Sequence, residues 1–186
     1  MIESEMKIFF APVSNGALYF NFEKSVLKGI EKTVFGTETI KYLNTSDANV
    51  KLWGIRDAKK TTYNRTNIGD LVLFYKEGNI IGYSKVHSLF IDEELSKKIW
   101  GIFENKQRGE RYSWSNIIVF EDFHNCNIPF TKFKELADYS DGFSIRGYLE
   151  FRKEAVEKIM KDFGGLENFL ILNNINKQFN ETVSKR

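Results

Sequence analysis

The sequence predicts an α+β protein, a small curved β-barrel flanked by helices, and three observations predict it. Strand and helix signals follow one another irregularly, not in the regular alternation that a doubly wound sheet requires. The clearest of them is a hairpin, "GDLVLFYKEGNIIGYSKVHSLF", running from Gly69 to Phe90. Finally, 186 residues with 42% hydrophobic and 28% charged content suffice to bury one core, as one domain or one domain with an appended helix.

Taken in order, "MKIFFAPV" (6–13) is a short apolar strand that ends at the turn signal Ser14-Asn15-Gly16. Residues 23–35 place Val26, Leu27, Ile30 and Val34 on one helical face, and the polar stretch 36–49 reads as a loop. Val50 to Ile55 is a second strand, followed by a basic loop containing "TTYNRTN". In the hairpin, Glu77-Gly78-Asn79 is the tight turn. Asp92 is the expected N-cap of a short helix carrying Leu95, Ile99, Ile102 and Phe103, and "ENKQRGERYS" after it reads as loop. A strand over 114–123 follows, then helices over 131–137 and about 150–163, the latter stopped by Gly164-Gly165. "LENFLILNNINKQFN" reads as a final helix before the polar tail "ETVSKR".

Composition excludes more than it selects. No apolar run approaches the roughly 20 residues that span a bilayer, and the start lacks the order of a secretory signal. Cys126 is the sole cysteine, so no internal disulfide forms and the cytoplasm is the expected compartment. The net charge of +2 does not announce a nucleic-acid binder. Locally, however, Lys51, Arg56, Lys59, Lys60 and Arg65 cluster between residues 51 and 70, as a solvated face or as a surface for phosphate. His87 and His124 lack metal-ligand spacing, and no phosphate-cradling glycine motif is present. His124 with Cys126 lacks the third group that orients a nucleophile, and "ENK" at 104–106 is a triplet expected by chance. We therefore expect no catalytic residue, metal or cofactor.

Aromatic residues remain. Trp53, in "VKLWGIRD", Trp100, and Trp114, in "GERYSWSN" with Tyr112, Arg108 and Arg111 beside it, fall at strand or helix edges next to basic loops. The residues alone fit two readings. The indoles close the barrel ends with their N–H groups on loop carbonyls, or they stack on a flat ligand, at about 1–3 kcal/mol per base.

"KIFFAPVSNGA", "VKLWGIRD", "GDLVLFYKEGNIIGYSKV" and "ERYSWSNIIVFEDFHNCNIP" resemble, in order and approximate spacing over residues 6 to 160, the PUA-like superfamily and specifically its EVE and YTH branches. The opening and the trailing helix also resemble the DNA-binding amino-terminal domain of McrB-type restriction proteins, which precedes a GTP-driven AAA+ motor that recruits a nuclease subunit. The resemblance implies a modified-base-binding domain over 1–163, with 164–186 as a helix and tail leading toward a motor. It implies a non-catalytic domain that holds a flipped methylated base of DNA, N6-methyladenine or a modified cytosine, in an aromatic cage within a modification-dependent restriction system. The alternative is a module for modified RNA or tRNA. Carried over, Trp53 stacks on the base, the Gly54 carbonyl accepts from its amino group, Ser14 and Asn15 reach its ring nitrogens, and Trp100 with Tyr112 or Trp114 completes the cage. Extruding the base costs a few kcal/mol. Backbone contacts from Arg56, Lys59, Lys60, Arg65, Arg108 and Arg111 help offset that cost without reading sequence.

Overall fold

A computed structural model describes residues 6–14, 16–43, 47–105 and 109–174. Its elements are β1 (Ile8–Pro12), α1 (Ala17–Phe22), β2 (Ile30–Glu31), α2 (Thr37–Ile40), β3 (Asn49–Val50), β4 (Leu52–Ile55), α3 (Lys60–Tyr63), β5 (Leu71–Lys76), β6 (Asn79–Ile91), α4 (Glu93–Trp100), β7 (Phe103–Asn105), β8 (Glu110–Tyr112), β9 (Asn116–Pro129), α5 (Thr131–Ala137), β10 (Leu149–Glu150), α6 (Lys153–Phe163) and α7 (Leu166–Asn173). Six strands form one mixed sheet in the order β10-β1-β5-β6-β9-β4; β2 with β3 and β7 with β8 form two-stranded ribbons. This is the α+β class that the irregular element order implies.

The hairpin is where the sequence puts it. Glu77 and Gly78 both adopt positive φ, 47° and 86°, the conformation that a two-residue turn needs to follow the twist of its strands. On β6, alternate residues from Ile80 to Phe90 are buried, the period of a strand with one covered face.

Three segments differ from expectation. The first helix lies earlier, at Ala17–Phe22, and is prolonged by a wide turn over Glu23–Leu27. The expected helix over 23–35 fails at Gly29, where φ is +76° and an added Cβ would meet Asn49 Cβ at 3.0 Å. Ile30 then pairs with Val50 in a ribbon, so the stretch 36–49 holds α2 and the start of β3 besides loop. The helix after Asp92 ends at Trp100, because Gly101 turns the chain with φ of 80°. Phe103, expected on that helix, belongs to β7, and β8 occupies part of the expected loop. Strand β9 continues to Pro129, and residues 149–150 pair with β1 before α6 begins.

By its contacts the chain divides into two compact units, one of residues 1–13, 71–83 and 124–186, the other of 14–70 and 84–123. In the first, Phe10 meets Phe130, Phe133 and Phe151 edge-on at 5.3, 5.5 and 5.2 Å. Leu166, Phe169 and Leu170 of α7 are buried in that cluster, and Gly164 ends α6 in the left-handed conformation expected of a C-terminal glycine. The core of the second unit gathers Leu43, Val50, Leu52, Ile99, Trp100, Trp114, Ile117 and Val119. All residues considered below as a binding site belong to this second unit.

Candidate nucleic-acid interface

All three tryptophans lie in one cluster. Trp53 is on β4, Trp100 ends α4, and Trp114 precedes β9. Trp114 is 5.6 Å from Trp53 and 5.9 Å from Trp100 between ring centroids, and Phe22 packs edge-on to Trp53 at 6.4 Å. Their exposures are 4, 8 and 6% for Trp53, Trp100 and Trp114. None presents an open ring face, so a base cannot stack on any of them in this arrangement. Three indoles remove more apolar surface from water by facing one another than by lining a strand edge. The Trp100 indole N–H donates to Ser25 Oγ at 3.3 Å, a helical-turn hydroxyl and not a loop carbonyl.

Gly54 makes the cluster possible. A Cβ there would come within 2.5 Å of Trp114 Cβ and 2.7 Å of Trp100 Cζ3. The register also orients its backbone. Phe120 N–H donates to the Lys51 carbonyl at 2.9 Å, and Gly54 lies opposite Ile117. Antiparallel alternation from that bond turns the Gly54 N–H and C=O away from β9, toward the side where β4 has no strand neighbour in the sheet.

A half-buried aromatic ring, Tyr112, lies one step outward. Phe103 stacks on Trp114 at 4.4 Å with planes 15° apart, and on Tyr112 at 5.7 Å with planes 22° apart. The antiparallel pairing of Phe103 with Tyr112 across the β7–β8 ribbon brings the last two rings together. The Arg56 guanidinium sits over the Tyr112 ring, 5.9 Å from its centroid. Tyr112 and Arg56 line a cavity of about 450 Å³ together with Asp57, Glu93, Ser113 and Ser115, a volume within the usual range for small-ligand sites. Asp57 Oδ1 accepts from Asn116 Nδ2 at 2.9 Å, and the same amide donates to the Ile55 carbonyl at 3.0 Å. Asn116 is fully buried, and its Oδ1 has no hydrogen-bond partner.

The basic residues take different places. Arg56 and Arg111 line the cavity; Lys59 and Lys60 lie on the short helical segment that follows β4, with Lys60 exposed. Arg65 is exposed beyond α3. Tyr63 anchors this segment: its buried hydroxyl lies between the Phe90 and Ile117 carbonyls, at 3.0 and 3.2 Å, and burial pushes its pKa to about 12. Ser14 is exposed between β1 and α1, while Asn15 and Arg108 lie outside the described residues.

Sequence reasoning did not single out Phe103, Asp57 or Asn116. Asn116 was detectable as the polar residue opening the apolar run Ile117–Phe120; Phe103 had no local signal, because its importance comes from a partner across the ribbon. Away from this region, burial pushes the Cys126 thiol to about 12, and His124 stacks on Tyr83 at 5.0 Å. Among the described residues no three His, Cys, Asp or Glu converge as metal ligands, and no helix is long and apolar enough to cross a membrane.

No family model matches the sequence, and neither does any curated protein. Solved structures do match. The N-terminal domain of Thermococcus gammatolerans McrB, determined bound to m5C DNA, superposes with a TM-score of 0.60 at 17% identity, over 85% of this chain and 97% of that one. The fold is that of the McrB N-terminal domain. The Pho92 YTH domain in complex with m6A matches at 0.49 and 12% identity, over 89% of this chain and 91% of that one. ASCH from Zymomonas mobilis matches at 0.43 and 12%, over 84% and 96%. The McrB match agrees with the α+β fold class that the segment order implies.

Proposed function

We propose that this chain is a non-catalytic reader of a methylated base in nucleic acid, with DNA as its substrate. The observation that carries the reading is an aromatic cluster ending at a half-buried, cavity-lining tyrosine beside the basic segment 56–65, in a fold similar to that of a domain determined on m5C DNA. In this reading Trp53, Trp100 and Trp114, seated around Gly54, are the rigid frame of the cage, and Tyr112 is its accessible wall. The outward carbonyl of Gly54 and the exposed Ser14, with Asn15 next to it, are further groups for the base. Lys59, Lys60 and Arg65, with Arg108 and Arg111, hold the backbone through charge alone. The methylated base is N6-methyladenine or a modified cytosine, and the chain directs a modification-dependent restriction complex through an AAA+ motor.

A methyl group favours such a site because it leaves water at little cost and gains contact with apolar walls. The target must be extruded or single-stranded, and a near-neutral chain binds unmodified nucleic acid only modestly. Fluorescence anisotropy with labelled oligonucleotides tests this. We expect tighter binding to DNA carrying one 5-methylcytosine or N6-methyladenine than to the unmodified strand; equal affinities refute the reading. Matched RNA strands separate the two polymers, because only RNA offers a 2′-hydroxyl.

A further inference from the structure

We propose that a nucleobase stacks on the Tyr112 ring beside Arg56, and that the Asp57 carboxylate accepts a hydrogen bond from the base's exocyclic amino group. The ligand class is an amino-bearing heterocycle, of the cytosine or adenine type. This rests on the reading that the chain binds nucleic acid through an extruded base, and it specifies where the base sits.

Three relations carry it. Trp114, Phe103 and Tyr112 form a series of near-parallel rings with centroid spacings of 4.4 and 5.7 Å, and the Arg56 guanidinium lies 5.9 Å from the Tyr112 centroid. Burial decreases along this series, from a buried Trp114 through a half-buried Tyr112 to an exposed Arg56. A guanidinium is planar and stacks on aromatic faces, so Arg56, which lines the same cavity, is placed to flank a flat ligand on the Tyr112 ring. A base can replace or be sandwiched by it, because every base has a π-face.

The second relation is charge. Asp57, Glu93 and Glu110 line the same cavity as Arg56 and Arg111, so carboxylates outnumber the cations. Such a lining repels phosphate and suits the donor edge of a base. Arg56 and Arg111 are thereby reassigned from backbone contact to the cavity, and the phosphate falls to Lys59 and Lys60, which are not among its lining residues.

The third relation is rigidity. Asp57 is pinned at 2.9 Å by the amide of Asn116, which is itself held by the Ile55 carbonyl and fully buried. An ionised carboxylate only accepts, so it favours a base edge that presents N–H groups.

The test compares three labelled 12-residue single-stranded DNAs, identical except that one position carries 5-methylcytosine, thymine or an abasic site, using fluorescence anisotropy and circular dichroism to verify folding. Wild type is expected to lose about tenfold or more in affinity on the abasic strand. Tyr112→Leu should bind all three equally and weakly, and Tyr112→Phe should restore dependence on the base. If Tyr112→Leu discriminates the abasic strand as wild type does, the stacking site is overturned. Asp57→Asn, at an exposed position, should abolish preference for 5-methylcytosine over thymine; an unchanged preference overturns the amino-acceptor role. An unmethylated cytosine strand separates the two claims. If wild type binds it as well as the methylated one but Tyr112→Leu erases the abasic difference, the methyl-reading function fails and the Tyr112 site stands. If wild type binds none of the strands, both fall.

Discussion

Gly54 and Trp114 share a contact that leaves no room for a single extra carbon: a Cβ on Gly54 would stand 2.5 Å from Trp114 Cβ and 2.7 Å from the Trp114 carbonyl oxygen. Neither atom is the free end of a side chain, so neither yields without moving backbone. Gly54→Ala should therefore destabilise by about 3 kcal/mol, the upper part of the range for overpacked cores. Urea unfolding followed by tryptophan fluorescence measures it, and a loss under about 1 kcal/mol would mean that the indoles repack easily.

Trp53→Ala is a poor probe of binding. With Trp53 4% exposed against Phe22 and Trp114, its truncation should cost about 3–5 kcal/mol of stability. Thermal unfolding of the variant should show a large drop in midpoint before any ligand is added; an unchanged midpoint would return Trp53 to the surface.

Asp92 caps α4, its Oδ1 accepting from Leu95 N–H at 2.8 Å while Oδ2 accepts from the Thr39 hydroxyl at 3.3 Å. Removing the cap in Asp92→Ala should cost about 1 kcal/mol. Since α4 delivers Trp100, the indole emission should shift as well. Urea denaturation and emission spectra report the two effects separately.

Two buried acids contribute to the alkaline limit. Burial moves Cys126 from 9.0 and Tyr63 from 10.0, each to about 12. The unfolded chain gives up these protons first, so their contribution is complete below about pH 9 and is lost as pH rises toward 12. Urea midpoints should stay level from neutral pH to about 9 and then fall, with a shallower fall in Tyr63→Phe. In the folded chain Cys126 should resist a thiol reagent at mildly alkaline pH and react once urea unfolds it.

Lys59→Gln with Lys60→Gln should lower the steepness of the salt dependence of DNA binding, by about 0.7–0.9 per phosphate contact removed. The ratio of methylated to unmethylated affinity should persist, because backbone contacts carry no base information. Titrations across a salt series test both expectations.

The hairpin, the Asp92 cap and the Gly164 stop were legible because each is a local rule: alternation, a capping carboxylate, a glycine past the last turn. The helix expected over 23–35 shows the opposite case. Its apolar spacing was helical, yet the positive φ of Gly29 and the pairing of Ile30 with Val50 decided the outcome. The aromatic and basic residues of the site were all visible as types. Which of them faces outward was not, because burial of Trp53 depends on Phe22 and Trp114 arriving from separate elements. Tyr112 owes its position to Phe103 across a ribbon of three-residue strands, too short to show a period.

The pairing of β1 has a consequence for synthesis. Phe9 sits between Val72 on β5 and Glu150 on β10, so β1 acquires its second neighbour only after some 140 further residues are made. On the ribosome that apolar strand waits, one flank bare, until those residues have emerged. Nascent chains halted before Leu149 should be the species that chaperones hold and that self-associate, whereas chains released with β10 in place should not.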